Sequence, residues 1–330
     1  MRNFAGKYAF ITGGASGGGL GQAKVFSKAG MKVAIADVRQ DALDSAVKEI
    51  MAFSGAKESD VLALKVDLTN REEYTAAADR FESVFGGPPH LLIQTAGVNS
   101  FGPAEASTFD DYDWVVGVCL DAVVNGLVIF VPRMIKAYGF KEEFHVAATS
   151  SMGAFGGFAG VAPYSAAKAA VNSLIYSYDA ALKPYGAGAT VLCPGNINSN
   201  IGNAEKFRPE QLRNTGYHIS EGTIAHLNSM HAQGIDPVEL GTILKEGIEN
   251  GRILVLPFTD VLAWQPYLQR YGEQILDFAL TAEEREQKFA EAAKNAPPRT
   301  GFTVPEGAER FGMARENLEW VDPNRRPQKK

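Results

Sequence analysis

Apolar residues along the chain alternate between short continuous runs and longer stretches with helical spacing. Short runs occur at Tyr8–Thr12 and Lys32–Ala36, and the helical stretch Leu20–Ala29 between them predicts a βαβ unit. Further runs predict strands at Val61–Val66, His90–Thr95, Phe144–Ser150, Ala189–Cys193 and Ile253–Leu256. Strands buried on both faces lose polar alternation, so these runs predict a parallel sheet covered by helices. The expected fold is a doubly wound α/β Rossmann domain with seven parallel strands.

The alternation of strands and helices predicts one domain over residues 1–258. Within it, residues 196–235 do not fit the alternation and predict a substrate-binding insertion, and residues 259–330 predict a helical or irregular extension. Helix starts are predicted at Thr69–Glu72 and at Asp236-Pro237. In the extension, Trp264, Tyr267 and Tyr271 lie at helical spacing, which a packed helix face explains more simply than a lid over an aromatic substrate.

Composition limits the classes of function. The 330 residues are 45% hydrophobic and 21% charged, which is typical of a soluble globular chain. A net charge of −6 without a basic face argues against a nucleic-acid partner. The start does not resemble a signal peptide, and no uninterrupted apolar run reaches the roughly 18 residues that span a membrane. With only Cys119 and Cys193, a reducing cytoplasm is the expected location.

A glycine-rich segment follows the first predicted strand. Residues 12–21 read TGGASGGGLG, and they turn from a strand into a helix. Gly13, Gly17 and Gly19 let the backbone turn tightly and direct free N–H groups at a phosphate. Their spacing is not the G-x-G-x-x-G fingerprint, so a flexible turn without a ligand is the alternative.

Carboxylates close the next two predicted strands. Asp37 ends the second strand, where it would accept hydrogen bonds from an adenosine ribose and repel a 2′-phosphate. With Ser16 neutral and Arg39 the only basic residue close by, this pattern favours NAD over NADP. Asp67 ends the third strand, where contact with adenine and a helix-capping role are equally compatible with the sequence.

A tyrosine and a lysine four residues apart open a strongly helical stretch. Tyr164 and Lys168 therefore share one helical face. A phenol with an ordinary pKa of about 10 becomes more acidic beside an ammonium, so we expect Lys168 to lower the pKa of Tyr164. The phenol then serves as general base or general acid for an alcohol and its ketone. Such pairs are also common in helices without any chemical role.

A serine at a strand end strengthens the chemical interpretation of this pair. Ser151 precedes Tyr164 by 13 residues and follows a predicted strand, so its hydroxyl can meet the pair and support charge on a reacting oxygen. Ser150 is the alternative, one residue away on the opposite face.

Together these residues resemble the short-chain dehydrogenase/reductase family over Lys7 to about Pro257. The matching features are the TGxxxGxG loop, the TAG turn at Thr95–Gly97, YxxxK at Tyr164 and Lys168, and Pro194-Gly195. The resemblance implies that Ser151, Tyr164 and Lys168 are catalytic and that Lys168 also holds the nicotinamide ribose. It implies an NAD site formed by Thr12, Gly13, Ser16, Gly17, Gly19, Leu20, Asp37, Asp67, Leu68, Thr95, Ala96, Gly97, Tyr164, Lys168, Pro194, Gly195, Ile197 and Ser199. It also implies a homodimer or homotetramer.

A narrower resemblance is carried by the strings GLGQAKVF, TAGVNSFGP, FVPRMI, PYSAAKAA and NINSNI. They are similar to bacterial Cα-dehydrogenases of lignin β-aryl ether catabolism. That resemblance implies NAD-dependent oxidation of a benzylic secondary alcohol to a ketone. Another secondary alcohol or ketone, such as a steroid or polyol, is the main alternative, and a non-catalytic nucleotide-binding sensor is a second one.

Two residues depart from the family pattern. Cys119 stands where the family has an Asn that completes a proton-relay site, and a thiol replaces an amide poorly. Asn125, six residues later, lies on another side of the helix and does not replace it. Gln94 stands where Asn is usual, with a small expected effect on adenosine packing.

The predicted insertion also contains three histidines. His218, His226 and His231 lack the spacing of a helical zinc pair, so we expect surface or pocket-lining roles and no metal.

Overall fold

The computed structural model describes residues 1–212 and 219–257. A parallel sheet lies at its centre, with the strand order β3-β2-β1-β4-β5-β6-β7. The strands are β1 Tyr8–Thr12, β2 Lys32–Asp37, β3 Val61–Lys65, β4 Leu91–Gln94, β5 His145–Thr149, β6 Gly188–Leu192 and β7 Leu254–Val255. This confirms the predicted fold class, with strand ends within about two residues of the prediction.

Helices cover both faces of the sheet. They are α1 Gly17–Lys28, α2 Gln40–Ser54, α3 Arg71–Phe85, α4 Phe109–Val116, α5 Ala122–Tyr138, α6 Ala162–Leu182, α7 Glu221–Ala232 and α8 Pro237–Glu249. The predicted extension over residues 259–330, with Trp264, Tyr267 and Tyr271, lies outside the described residues.

Alternating residues of the central strands supply two cores. On β1, Phe10 is fully buried among Phe81 of α3 and Phe130 of α5. Its neighbour Ile11 is buried on the opposite face, in a cluster that includes Phe26 of α1. Each residue of a strand faces the side opposite to the next, so a strand with helices on both sides is apolar throughout.

The strand order places a crevice at the carboxyl ends of the central strands β1 and β4. β1 pairs with β2 on one side and with β4 on the other, all in parallel. The connection after β1 and the one after β4 therefore leave the sheet toward opposite faces, and their carboxyl ends open a gap between them. The glycine loop follows β1, and the TAG turn follows β4.

Helix starts follow local capping chemistry. Asp236 accepts hydrogen bonds from the backbone N–H groups of Val238 and Glu239, as predicted for α8. The predicted start at Thr69 is wrong by one residue, because Asn70 is the N-cap of α3 and accepts from Glu72 and Glu73.

A long apolar helix runs through the core. Residues 109–138 form one helix of 30 residues, which includes a π-helical segment at Gly117–Asp121. By length and composition this helix could cross a membrane. Such a helix was not predicted from the sequence, because only uninterrupted apolar runs were considered. Sixty-one per cent of its most apolar window is buried, and Leu127 and Phe130 pack against the sheet. It is therefore best explained as a core helix.

The two ends of the predicted insertion meet. Ile197 and Ile235 form an isolated parallel bridge. The Ile235 N–H donates to the backbone carbonyl of Asn196 at 2.9 Å, and the Asn198 N–H donates to the backbone carbonyl of Ile235 at 3.1 Å. Described residues between them include a 3₁₀ segment, Ile201–Phe207, and α7.

Candidate active site

A cavity of about 410 Å³ occupies the crevice at the carboxyl edge of the sheet. Most residues that were predicted for the site line it. They are Gly13, Ser16, Gly17, Gly19, Asp37, Asp67, Leu68, Thr95, Ala96, Gly97, Ser151, Tyr164, Lys168, Pro194, Gly195, Ile197 and Ser199. The structure thus brings segments together that are up to 186 positions apart, from Gly13 to Ser199 (199 − 13).

Three residues with predicted effects at the coenzyme site are not part of the cavity lining: Thr12 and Leu20, which were predicted to bind NAD, and Gln94, for which a small effect on adenosine packing was expected. Thr12 is buried, and its hydroxyl accepts from the backbone N–H groups of Thr95 and Ala96 at 3.0 and 3.2 Å. The Leu20 N–H donates to the Ser16 carbonyl within the first helical turn. The Gln94 side chain is buried against Gly126 of α5. These positions support the wall rather than form it.

The glycine loop requires glycine because of close backbone contacts. Gly13 has φ +65°, and a Cβ there would lie 2.7 Å from the Ala96 Cα in the TAG turn. A Cβ on Gly19 would overlap the Gly13 carbonyl. Ser16 precedes α1, but its side chain does not cap the helix. The first N–H groups of α1 are therefore open to an anion, which fits a pyrophosphate.

Asp37 and Arg39 form an ion pair at one end of the cavity. Arg39 Nε donates to Asp37 Oδ1 at 3.0 Å, and its Nη2 donates to Oδ2 at 3.2 Å and to Ser16 Oγ at 2.8 Å. The guanidinium also lies 5.2 Å from the ring centroid of Phe207, which belongs to the insertion. Phe207 was not singled out from the sequence, because its contact spans 168 positions (207 − 39).

Asp67 both lines the cavity and shapes its own loop. Its Oδ1 accepts from the Thr69 N–H at 2.9 Å and from the Thr69 hydroxyl at 2.7 Å. The turn-forming role is therefore present, and contact with adenine stays a prediction.

Ser151, Tyr164 and Lys168 converge on the cavity next to the TAG turn. Ser151 Oγ accepts from the Gly153 N–H at 3.0 Å and makes a side-chain hydrogen bond with the Tyr164 phenol. The alternative, Ser150, is buried, and its hydroxyl donates to the Lys168 carbonyl at 2.9 Å. Ser151 therefore has the geometry for a reacting oxygen, while Ser150 fixes α6 to the sheet.

The expected effect of Lys168 on Tyr164 is wrong for this arrangement. Burial raises the pKa of the Tyr164 phenol, and the Ser151 hydrogen bond offsets only part of this. Lys168 Nζ lies over the phenol ring, 5.4 Å from its centroid, and donates to the Thr149 carbonyl at 2.8 Å. The ammonium therefore directs a hydrogen bond at the backbone, and desolvation determines the direction of the phenol pKa.

Cys119 lies behind this group, in the π-helical segment. Its thiol donates to the Val98 carbonyl at 3.1 Å and accepts from the Val98 N–H at 3.4 Å. Burial also raises the pKa of the Cys119 thiol. Asn125 is remote from this point, because its amide donates to the Leu68 carbonyl and accepts from Arg71. The thiol thus joins the long helix to the segment after the TAG turn.

The other end of the cavity has an apolar wall. Trp114 and Ala204 are buried there, packed with the partly buried Val98, Val118 and Leu212 and with the Tyr164 ring. All except Val98 come from the long helix, α6 or the insertion, and Trp114 carried no sequence signal that set it apart from an ordinary core residue.

The described histidines of the insertion differ in position. His226 is exposed, whereas His231 lines the cavity beside the Ile197 backbone, and burial lowers the pKa of its imidazole. His218 lies outside the described residues. Within residues 1–212 and 219–257, no group of three or more His, Cys, Asp or Glu side chains could hold a metal ion.

Comparison with known proteins supports a relationship over most of the chain. The family described as short chain dehydrogenase matches residues 7–209. The C alpha-dehydrogenase of Sphingobium sp. strain NBRC 103272 / SYK-6 is 44% identical over 277 residues, which are 84% of this chain and 88% of that protein.

Solved structures show the same architecture. The apo form of LigD from Sphingobium sp. strain SYK-6 is 38% identical, with a TM-score of 0.68 over 84% of this chain and 99% of LigD. A short chain dehydrogenase/reductase from Burkholderia phymatum, solved in complex with NAD, is 31% identical, with a TM-score of 0.75 over 83% of this chain and 96% of that one.

Proposed function

Because this chain belongs to the short chain dehydrogenase family, we propose that it oxidises the benzylic secondary alcohol of arylglycerol β-aryl ethers to a ketone with NAD. The observation that carries the proposal is the meeting of Ser151, Tyr164 and Lys168 beside a glycine loop in one cavity. The 44% identity to a C alpha-dehydrogenase supports the substrate class. The chain is thus an NAD-dependent alcohol dehydrogenase.

The residues present fit NAD. The open N–H groups at the start of α1 suit a pyrophosphate, and a Cβ at Gly13 would close that space. Asp37 at the end of β2 suits an adenosine ribose and repels a 2′-phosphate. When bound, NAD accepts the hydride that leaves the carbinol carbon. The NAD complex of the Burkholderia phymatum relative supports this choice of coenzyme.

The proton chemistry belongs to side chains of this chain. Tyr164 Oη removes the proton of the substrate hydroxyl, and returns it when the ketone is reduced. Ser151 Oγ donates to the reacting oxygen while negative charge develops there. Lys168, which is held by the Thr149 carbonyl, binds the nicotinamide ribose. Because Ser151 and Tyr164 are hydrogen-bonded to each other, both hydroxyls can reach the same oxygen atom of the substrate.

The raised pKa of Tyr164 affects how the rates of alcohol oxidation and ketone reduction depend on pH. A phenol that keeps its proton at neutral pH is ready to act as the acid when a ketone is reduced. Alcohol oxidation needs the phenolate and therefore becomes faster as pH rises.

The test is NADH formation on separated stereoisomers of an arylglycerol β-aryl ether, with a steroid alcohol and a polyol as controls. We expect turnover of the aryl ether and at least about tenfold lower kcat/KM for the controls, which is about 1.4 kcal/mol in transition-state binding. Preferred turnover of a control would assign another alcohol. Binding of NAD without turnover of any alcohol would favour a nucleotide sensor.

The enzyme is proposed to act in the cytoplasm as a homodimer or homotetramer. Cys119 and Cys193 are free buried thiols, which a reducing compartment maintains. Val124 and Val128 of α5 and Tyr176 of α6 are exposed apolar side chains that a second copy of the chain would cover. Sedimentation velocity should show two or four chains, and a monomer at micromolar concentration would contradict this assembly.

A further inference from the structure

A buried arginine joins the insertion to the long helix. Arg208 follows the 3₁₀ segment Ile201–Phe207, and its side chain is only 6% exposed. Its guanidinium donates to Asp111 of α4 at 2.6 Å and to Glu205 at 3.3 Å. Removing a guanidinium and two carboxylates from water is costly, so such a network contributes more to geometry than to stability.

Asp111 is itself held in place from both sides. It forms a capping box with Thr108 at the start of α4, in addition to its ion pair with Arg208. Burial raises the pKa of this carboxyl, but the hydrogen bonds from Thr108 and Arg208 outweigh burial and lower it. The carboxylate therefore stays charged and gives Arg208 a fixed anchor on α4.

The same guanidinium lies over a tryptophan. Arg208 Cζ is 5.0 Å from the Trp114 ring centroid, and Trp114 is 3% exposed. The face of an indole attracts a desolvated cation, so this contact holds the two side chains together. Trp114 also lines the cavity and packs in the apolar cluster that includes the Tyr164 ring. One indole thus connects the ion-pair network to the wall beside the proposed proton acceptor.

The chemistry of this wall restricts what can lie against it. Val118, Ala204 and Leu212 offer no hydrogen bonds from their side chains, so a hydroxyl that lies against them stays unpaired. Asp113 also lines the cavity, and its carboxylate disfavours anionic substrates. A flat neutral ring buries its area there and gains offset or edge contacts with the indole.

We propose that Trp114 is the residue that selects an aromatic ring at the carbinol carbon, and that the Arg208 ion pairs with Asp111 and Glu205 position its indole. This inference rests on the proposed function, because it assigns the aryl group of that substrate to the wall beside Tyr164. Trp114 discriminates a flat aryl ring from a saturated ring of similar size.

The experiment measures binding of two ketones to the enzyme–NADH complex by NADH fluorescence, with Tyr164→Phe in every protein tested so that the ketone is not reduced and NADH is not consumed. One is the aryl ketone formed from the aryl ether, and the other carries a cyclohexyl ring in place of that aryl group. The parent protein, with Trp114 and Arg208 intact, should bind the aryl ketone more tightly. Trp114→Leu should reduce the ratio of the two ketone affinities about three- to tenfold, because this is the contribution of one aromatic pair to binding. The affinity for NADH should stay unchanged. Trp114→Phe should keep most of the aryl preference.

The positioning role has its own variants. Arg208→Met should reduce the aryl preference and raise KM for the aryl alcohol with little change in kcat, and Arg208→Lys should restore part of it. The matched control is Arg133→Met, because Arg133 also binds two carboxylates, Asp79 and Glu82, but lies away from the cavity. Arg133→Met should change neither the aryl preference nor the KM for the aryl alcohol.

Different failures have different meanings. An unchanged ratio of the two ketone affinities in folded Trp114→Leu, or an equal loss for both ketones, would overturn the inference. If Trp114→Leu does not fold, the ratio of the two ketone affinities is measured in Arg208→Met instead, and an unchanged ratio there would also overturn the inference. If the parent protein binds the two ketones with the expected preference but the wild type oxidises neither alcohol, the proposed function fails and the binding inference stands.

Discussion

The two ends of the cavity are built by different means. At the coenzyme end, the wall is mainly backbone: the glycine loop after β1, the TAG turn after β4 and the start of α1, all fixed by the sheet. At the substrate end, the wall consists of side chains from the long helix and the insertion, fixed by the Arg208 ion pairs and the Trp114 contact. Backbone geometry leaves a local sequence pattern, whereas pairs of distant side chains do not.

The largest effect is expected where both ends meet. Tyr164→Phe removes the hydroxyl that carries the proton and should lower kcat by about 10²- to 10⁴-fold, the usual contribution of general acid–base catalysis. NAD affinity, measured by titration, should change little because the ring remains. Tyr176→Phe, an exposed position on the same helix, is the control. Substantial remaining activity would show that another base operates.

The coenzyme end should be sensitive to a single methyl group. Gly13→Ala places a Cβ against the Ala96 backbone and should weaken NAD binding about 100-fold, which equals about 2.7 kcal/mol. Gly55→Ala is matched, because Gly55 also has positive φ but no atom within 4 Å of the position that a Cβ would take. Isothermal titration should give normal NAD affinity for this control. Equal effects of the two changes would attribute the loss to backbone strain alone.

Coenzyme choice should depend on one carboxylate. Asp37→Ala removes the repulsion of a 2′-phosphate and releases Arg39, which already reaches Ser16. The ratio of kcat/KM for NADP to that for NAD should rise about tenfold or more, consistent with a charge-assisted hydrogen bond of roughly 1.5–3 kcal/mol. Asp41→Ala on α2 is the control. A ratio that stays at the wild-type value would assign the selection to another residue.

The substrate end should carry the pH dependence. Because the pKa of Tyr164 is raised above its ordinary value of about 10, the phenolate fraction increases about tenfold per pH unit from neutral pH up to at least about pH 9. The rate of alcohol oxidation should follow this increase, measured in stopped-flow single turnover, while NAD affinity stays level. A plateau of the oxidation rate that begins below pH 8 would mean that the phenol is already ionised there.

The smallest effect is expected at Cys119. An Asn in its place can donate and accept more strongly, and should raise the turnover rate by about threefold if an amide assists the proton relay. Cys193→Ser changes the other buried thiol and serves as the control. An unaltered or lower rate for Cys119→Asn would show that the thiol contact with Val98 matters more than an amide.

The seven strands were predictable because each is a short apolar run, and Asp37 and the glycine loop because they stand at strand ends. Ser151 was predicted over Ser150 from its spacing to Tyr164 and from the family resemblance, but the different contacts of the two hydroxyls required the structure, since both follow β5. Trp114 and Arg208 are 94 positions apart (208 − 114), so no local pattern indicated their contact. The pKa of Tyr164 was mispredicted because sequence spacing gives the distance between side chains and not their hydration.

The bridge between Ile197 and Ile235 has an evolutionary consequence. Since the entry and exit of the insertion are already tied together, the length and content of the excursion between them can change with little cost in loop closure or sheet geometry. The scaffold can therefore acquire new specificities by exchanging this one module, as long as the replacement supplies its own partner for α4.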